Sequence, residues 1–235
     1  MKSNSNRISR REEVNELFEQ LGKVLDQRIE ALLIGGAAML ELRLKDITKD
    51  IDVVCRDEAD KSRLLEAAKS LGFQIVGPEK RHARLGVNRL AVKGERNLDI
   101  FAGRISYDFG LSESMWQRAV RSRSFGNLVI RDASLGDIFI MKLIANRPGD
   151  APDCAALFLA ELDFDAVYEE IEAQYRKPGE LEQKIWITYI DEGIGRLEEN
   201  YRVQVPIAER VSELADEYRE RLYRELAGRN RQVDS

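Results

Sequence analysis

Hydrophobic and polar positions follow two different rhythms along this chain of 235 residues. In the first half, short apolar runs of strand length are separated by turn-forming residues such as Gly and Pro. In the second half, apolar residues recur three and four positions apart, as they do on one face of a helix. The short runs predict strands at 31–34, 50–55, 73–76, 89–92, 97–101 and 128–130.

Apolar residues at helical spacing predict one helix before the first strand and a series of helices beyond Tyr107. Ser9 and Glu12 form a capping-box pattern, and the apolar positions from Val14 to Ile29 fall on one face of a helix of about six turns. Ser134 and Asp137 form a second such start signal. Further helices are predicted at 37–44, 63–71, 112–120, 134–145, from 150 or 153 to 162, and at 163–175, 181–197 and 206–226.

The two rhythms together predict an α+β chain. Residues 1–132 are expected to form a small, mixed β-sheet core with an N-terminal helix, and residues 133–235 a helical C-terminal domain. The chain is 43% hydrophobic and 34% charged, which is typical of a globular protein with a sizeable core. Its apolar runs are far shorter than the roughly 18 residues that cross a bilayer, and its amino terminus is polar. We therefore expect a cytoplasmic protein.

Cysteine and histidine are too scarce to form a metal cluster. The chain contains two cysteines, Cys55 and Cys154, without a Cys-x-x-Cys pattern, and one histidine, His82. A disulfide framework is not expected from this spacing, and any bound metal must be held by carboxylates.

Charge is distributed unevenly around a net value of −5. A negative chain is not expected to coat nucleic acid nonspecifically, because such binding neutralises many phosphates with Lys and Arg. Residues 80–123 carry a balance of +6, however, and residues 151–235 a balance of −9. The basic residues of the middle segment either guide an anionic substrate or form a solvated strand face; they include Arg81, Arg84, Arg89, Lys93 and Arg96.

Three acidic residues carry the most specific chemical pattern. Asp50 and Asp52 alternate in a predicted strand, so their side chains point to the same face, and Asp99 lies in another predicted strand. Carboxylates gathered in this way repel each other unless a cation compensates them, and oxygen ligands suit Mg²⁺. Gly35-Gly36, which precede Asp50 by a helix-sized interval, would let backbone N–H groups approach a phosphate.

This arrangement resembles the polymerase-β-type nucleotidyltransferase superfamily. Its signature is an apolar residue followed by Gly-Gly or Gly-Ser, a short helix, and Asp-x-Asp or Asp-x-Glu in a strand, and it spans about 31–101 here. The resemblance implies Asp50 and Asp52 as ligands of two Mg²⁺ ions, with Asp99 as the third carboxylate and as proton acceptor. Gly36 stands where the Gly-Ser form has a hydroxyl, so backbone groups would contact the triphosphate.

A second segment extends the resemblance to minimal nucleotidyltransferases, including AbiE-type toxins of toxin–antitoxin pairs. It contains Lys142, Arg147, Asp150 and Asp153. By resemblance Lys142 contacts the triphosphate, and Arg147 with Asp150 or Asp153 completes or braces the site, although Pro148-Gly149 interrupts the usual Arg-Asp pairing. The residues expected to bind the nucleotide are Gly35, Gly36, Thr48, Lys142 and Arg147.

The predicted function is Mg²⁺-dependent transfer of a nucleoside monophosphate from an NTP such as ATP to a hydroxyl acceptor, which could be RNA such as tRNA, a protein or a small molecule. A partner protein of a toxin–antitoxin pair is also expected from the resemblance. One alternative is a catalytically inactive binding or antitoxin-like module with the same fold. A second is a glycosyltransferase, which also uses Asp-x-Asp with a divalent cation but leaves Gly35-Gly36 unexplained.

Overall fold

A computed structural model describes residues 10–77, 90–94 and 96–233 of the chain. The fold divides into two compact units. The sheet unit comprises Met1–Ser106 with Gly110–Ile138, and the helical unit comprises Tyr107–Phe109 with Phe139–Ser235. In chain order the elements are α1 (Arg11–Val24), β1 (Ile29–Ile34), α2 (Gly35–Glu41), β2 (Asp50–Cys55), α3 (Glu58–Ser70), β3 (Gln74–Val76), β4 (Leu90–Lys93), β5 (Arg96–Ala102), β6 (Arg104–Ser106), β7 (Phe109–Gly110), α4 (Glu113–Gln117), β8 (Arg121–Phe125), β9 (Leu128–Asp132), α5 (Leu135–Ala145), α6 (Asp150–Phe158), α7 (Phe164–Arg176), a 3-10 helix (Leu181–Ile185), α8 (Trp186–Tyr201) and α9 (Ala208–Val233).

The sheet is mixed, as expected for the first part of the chain, and its main order is β3-β4-β5-β2-β1-β9-β8. β2 pairs with β5, and β1 with β9, in parallel, whereas β1 and β2 are antiparallel. The central strands bury long apolar side chains, among them Leu33, Val53 and Ile100, each of which is 0% exposed. Because these apolar residues are buried in the core, the register of each strand is fixed. The polar residues that alternate with them therefore have a defined face of the sheet.

The first helix is shorter than its sequence predicts. α1 ends at Val24 and Leu25 is extended, whereas Ile29 opens β1 and its N–H donates to the carbonyl of Asn127 at 2.9 Å. Ile29, the last apolar position of the predicted helix, therefore belongs to a strand, and Leu25 belongs to the connection before it. Ser9, half of the expected capping box, lies outside the described residues.

A strand was missing from the sequence prediction between 112 and 130. The helix predicted at 112–120 ends at Gln117, and Arg121–Phe125 forms β8, antiparallel to β9. Beyond Tyr107 the sequence predicted one strand, at 128–130, among helices, and it did not predict β7 and β8. The sequence of β8 is too polar to be recognised as a strand, because its arginines pair with an acid on β9. Arg121 Nε lies 3.3 Å from Asp132 Oδ2, and Arg123 Nη2 lies 2.5 Å from Asp132 Oδ1.

Other predicted boundaries moved by a few residues. α2 begins at Gly35 itself, so the two glycines are inside the helix and not in a turn before it. α3 starts at Glu58, five residues early, because the Asp57 side chain accepts a hydrogen bond from the N–H of Asp60 at 2.8 Å. α6 ends at Phe158, before the predicted 162.

The helical unit has an aromatic core around Trp186, which is 0% exposed. The Trp186 ring lies edge-on to Phe109 at 5.2 Å and to Tyr175 at 6.5 Å between centroids, and its indole N–H donates to Asp108 at 2.5 Å. α9 packs against α7 and α8, with Val211 and Leu214 buried. In the part of the chain that the structure describes, no helix is both long and apolar enough to cross a membrane.

Candidate functional site

The three acidic residues predicted from the motif lie on two neighbouring strands of the sheet unit. β2 and β5 run parallel, and their register pairs Asp52 with Asp99 and Asp50 with Asn97. Residues that pair in register project from the same face of a sheet, as do residues two apart on one strand. Asp50, Asp52 and Asp99, each half-buried, therefore share one face; we call this group the acid face.

Gly35 permits the Asp52 carboxylate to lie against the start of α2. Its φ is +65°, and a Cβ added to Gly35 would lie 2.4 Å from Asp52 Oδ2. Any other residue would therefore suffer both a left-handed backbone and a collision with the carboxylate. The first glycine of the motif is needed here for the approach of an acid, in addition to any role it has toward a phosphate.

Gly36 makes room for Thr48 in the same way. A Cβ added to Gly36 would lie 2.4 Å from Thr48 Oγ1, and Thr48 is only 6% exposed. The Thr48 hydroxyl donates to the backbone carbonyl of Asp50 at 3.1 Å. Thr48 thus fixes the first residue of β2 in position, which is a structural task distinct from the nucleotide contact expected from the sequence.

Asn97 belongs to the site and was missed by the sequence reasoning. Its side-chain Nδ2 donates to Asp50 Oδ1 at 2.8 Å. A signal was available, because Asn97-Leu98-Asp99 repeats the polar–apolar–polar alternation of Asp50-Ile51-Asp52 and pairs with it residue by residue. Asn97 orients one carboxylate of the acid face without adding charge to it.

The donor chemistry of the acid face fits a hard divalent cation. Carboxylate oxygens are the ligands that Mg²⁺ prefers, and the missing Cβ of Gly35 leaves Asp52 Oδ2 room on the side of α2. Among the described residues, however, no three His, Cys, Asp or Glu side chains are gathered as a ready-made metal cluster. The acid face provides suitable donors on adjacent strands without a preformed cage.

Lys142, Asp150 and Asp153 form a buried ion cluster in the helical unit, which we call the lysine cluster. Lys142 Nζ lies 2.8 Å from Asp150 Oδ1 and 2.7 Å from Asp153 Oδ2. The three residues are 7%, 5% and 7% exposed, respectively. Burial alone would lower the pKa of Lys142, but the charges and hydrogen bonds of the two aspartates outweigh it and hold that pKa above its ordinary value.

Arg147 completes the surroundings of Asp150. Its Nε lies 3.1 Å from Asp150 Oδ2, and its backbone N–H donates to the same oxygen at 3.0 Å. Burial opposes ionisation of Asp150, yet Lys142 and Arg147 together hold its pKa below the ordinary value. The Arg-Asp contact survives the inserted Pro148-Gly149, and the exposed side chain of Arg147 still faces solvent over much of its surface.

The other residues that the sequence singled out have structural roles or lie outside the described part. Lys93 donates to the carbonyl of Leu71 at 2.6 Å, as a solvated strand residue does. Cys55 and Cys154 are buried free thiols, and burial raises the pKa of each to about 12, so neither is an active nucleophile. Arg81, His82, Arg84 and Arg89, and the side chain of Arg96, are not among the described residues.

Comparison with known proteins gives one extensive match. A family model described as "Nucleotidyltransferase of unknown function (DUF6036)" matches residues 12–188, which is most of the chain. No curated protein matches the sequence.

Solved structures give weaker similarities. ANT(2″)-Ia in complex with adenylyl-2″-tobramycin is 16% identical, with 89% of this chain and 99% of that chain covered and a TM-score of 0.39. The solution structure of the antibiotic-resistance factor ANT(2″)-Ia is 17% identical over 94% and 98%, with a TM-score of 0.40. An antigenic nucleotidyltransferase-like protein from Paracoccidioides brasiliensis is 14% identical over 86% and 91%, with a TM-score of 0.39. TM-scores of this size say nothing about the substrate of this chain. The family match over residues 12–188 is therefore the comparison that identifies its family.

Proposed function

The chain belongs to the nucleotidyltransferase family of unknown function designated DUF6036, and on that premise we propose that its acid face transfers a nucleoside monophosphate from an NTP to a hydroxyl acceptor. Pyrophosphate leaves in this reaction as the acceptor oxygen attacks the α-phosphorus. The acceptor is RNA, a protein or a small molecule.

The observation that carries the proposal is the register of β2 and β5. It places Asp52 beside Asp99 and Asp50 beside Asn97, on one face, next to the glycine that opens α2. Gly35, with φ +65°, makes room for the Asp52 carboxylate at the start of α2. The combination of acids and glycines therefore supports a site for a cation and a phosphate together.

Asp50, Asp52 and Asp99 would hold two Mg²⁺ ions. When bound, Mg²⁺ compensates the negative charge that develops on the phosphoryl oxygens and on the leaving pyrophosphate. The chain itself contributes the orientation of these ligands: Asn97 restrains Asp50 through its 2.8 Å hydrogen bond, and Thr48 fixes the backbone of Asp50. Rigid placement of this kind is what allows charge stabilisation without reorganisation during the reaction.

Asp99 would accept the proton of the attacking hydroxyl. It pairs with Asp52 in register on the neighbouring strand, so a hydroxyl bound over this face of the sheet would lie near both carboxylates. Gly35 and Gly36 open α2 beside the Asp52 carboxylate and would present backbone N–H groups to the triphosphate.

Lys142 and Arg147 differ in what they can offer a nucleotide. Lys142 is held between two carboxylates, so we propose that it braces α5 against α6 instead of contacting the triphosphate. Arg147 is exposed, and its contact with the triphosphate stays a prediction from the sequence. A partner protein of a toxin–antitoxin pair stays a prediction from the sequence.

The proposal is tested by label transfer. The protein is incubated with each α-labelled NTP, Mg²⁺ and a cell extract, and the RNA, protein and metabolite fractions are then counted. Asp52→Asn and Asp99→Asn should each reduce transfer about a thousandfold or more, because a lost metal ligand or base costs several kcal/mol in the transition state. Asp46→Asn, which changes an exposed acid just before β2, is the matched control and should transfer normally.

The acceptor is identified by the fraction that becomes labelled. Undiminished transfer by Asp52→Asn, with the Asp46→Asn control also active, would contradict the proposed roles of the acid face.

A further inference from the structure

The helical unit contains a cavity of about 310 Å³, and the proposed transfer gives no role to three donor side chains that line it, Asn146, Arg196 and Asn200. It lies between the end of α5, the start of α6 and one face of α8. Sites for small molecules typically begin at roughly 300 Å³, so the cavity is large enough for a compact ligand.

One face of α8 supplies the wall of this cavity. Gly193, Arg196, Leu197 and Asn200 are spaced at i, i+3, i+4 and i+7, so their side chains line up along one side of the helix. Gly193 lets α8 approach α5, since a Cβ there would lie 2.8 Å from Leu143 Cδ2. The sequence of α8 thus places a guanidinium and a carboxamide at the opening of a closely packed cleft.

The cavity has an apolar floor and a polar rim. Leu143, Cys154 and Leu197 line it and are buried, at 2%, 3% and 1% exposure. Asn146, Arg147, Arg196 and Asn200 line it from more exposed positions. This division is usual for a small-molecule site, in which apolar groups provide area and a few polar groups provide orientation.

Charge at the rim favours an anion. Lys142 and Arg147 are matched by Asp150 and Asp153, so these four charges sum to zero, and Arg196 leaves the cavity with one positive charge in excess. Within the described part of the chain, the side chains of Asn146, Arg196 and Asn200 make no hydrogen bond or ion pair with the protein. These three side chains have donor groups to offer a ligand.

We infer that this cavity binds a small phosphate-bearing molecule, with Arg196, Asn146 and Asn200 donating to the phosphate and the apolar floor contacting the rest. A phosphate presents three strong acceptor oxygens, one more than a carboxylate, and so matches three donor side chains better. A cation is disfavoured by Arg196, and a wholly apolar ligand would leave the rim donors without acceptors. The inference does not depend on the transfer reaction proposed for the acid face.

The experiment measures binding of AMP, adenosine and inorganic phosphate to the full chain by calorimetry, in EDTA so that no divalent cation takes part. AMP should bind the wild type, adenosine much more weakly, and Arg196→Gln should weaken AMP binding about tenfold or more. Arg224→Gln, an exposed arginine of α9 paired with Glu220, is the matched control and should leave AMP affinity unchanged.

The relative affinities show whether the cavity recognises a nucleotide or a phosphate group alone. Inorganic phosphate that binds as tightly as AMP supports an anion site without a base contact. Equal affinity for adenosine and AMP, equal AMP affinity in Arg196→Gln and the wild type, or no binding of AMP and phosphate at about 10 mM would each overturn the inference.

Asp52→Asn distinguishes this site from the acid face. It should keep full AMP affinity in EDTA while losing label transfer. If it loses AMP binding instead, the nucleotide binds at the acid face and the inference about the cavity is wrong.

Discussion

The acid face and the lysine cluster both bring carboxylates together, but they compensate the negative charge differently. In the lysine cluster the chain supplies its own cation, because Lys142 Nζ lies within 2.8 Å of Asp150 and 2.7 Å of Asp153. In the acid face a neutral amide, Asn97, donates to Asp50, and Gly35 lies against the Asp52 carboxylate. We propose that the first arrangement stabilises the fold and that the second holds a divalent cation.

This comparison predicts that removing charge will have opposite consequences in the two places. In the lysine cluster the loss should appear in stability, since one partner of a buried ion pair is left uncompensated. In the acid face the loss should appear in activity, and removing one of several mutually repelling carboxylates should cost the fold little.

The largest expected effect on stability is that of Lys142→Met. It keeps most of the side-chain volume but leaves Asp150 and Asp153 buried without their shared cation. The free energy of unfolding should fall by about 3 to 5 kcal/mol, as measured by urea denaturation. Asp52→Asn, measured in the same way, should change it by less than about 1 kcal/mol. Equal losses in the two variants would remove the distinction between the clusters.

The sequence predicted the acid face better than it predicted the lysine cluster, for a physical reason. Alternation in a strand places Asp50 and Asp52 on one face, and the parallel register of β2 and β5 adds Asp99, which the sequence singled out in a second strand. Whether Lys142 meets Asp150 and Asp153 depends on how α5 and α6 pack across a turn, which helical periodicity does not specify.

Two errors in the fold prediction have the same origin. Arg121 and Arg123 look like solvated residues in the sequence, but they pair with the buried acids Glu41 and Asp132, and β8 forms around them. Ile29 continues the helical pattern of α1, yet its N–H pairs with Asn127 and opens β1. In both cases a partner distant in sequence overrides the local pattern.

A smaller effect is expected from Gly35→Ala, which tests whether the acid face is built around its glycine. The added Cβ would lie 2.4 Å from Asp52 Oδ2 at a φ of +65°, so the carboxylate or the start of α2 must move. We expect a loss of about 1 to 3 kcal/mol in unfolding free energy, because of the left-handed backbone, together with severely reduced label transfer. Gly195→Ala, in open space within α8, is the matched control: it should leave label transfer unchanged and raise the unfolding free energy by up to about 1 kcal/mol, because alanine favours a helix over glycine.

The smallest effect is the dependence of stability on pH. The pKa of Asp150 is lowered in the fold, so its contribution to stability is present above its ordinary pKa of 3.8 and is lost as pH falls through the lower folded value. The pKa of Lys142 is raised, so its contribution is present below its ordinary pKa of 10.5 and is lost as pH rises through the folded value. Melting temperatures of the wild type should therefore fall at both extremes, and the Lys142→Met curve should be flatter at alkaline pH. Parallel curves would show that the lysine cluster contributes nothing to the pH dependence.

The central claim is that the acid face holds divalent cations for nucleotidyl transfer, and metal binding tests it most directly. Binding of Mn²⁺ in place of Mg²⁺ is measured by electron paramagnetic resonance, with a non-hydrolysable ATP analogue present. The account predicts that the wild type and Asp46→Asn bind Mn²⁺ alike, that Asp153→Asn retains this binding, and that Asp52→Asn and Asp99→Asn weaken it about tenfold or more. Mn²⁺ affinity that is the same in Asp52→Asn and Asp99→Asn as in the wild type would contradict it.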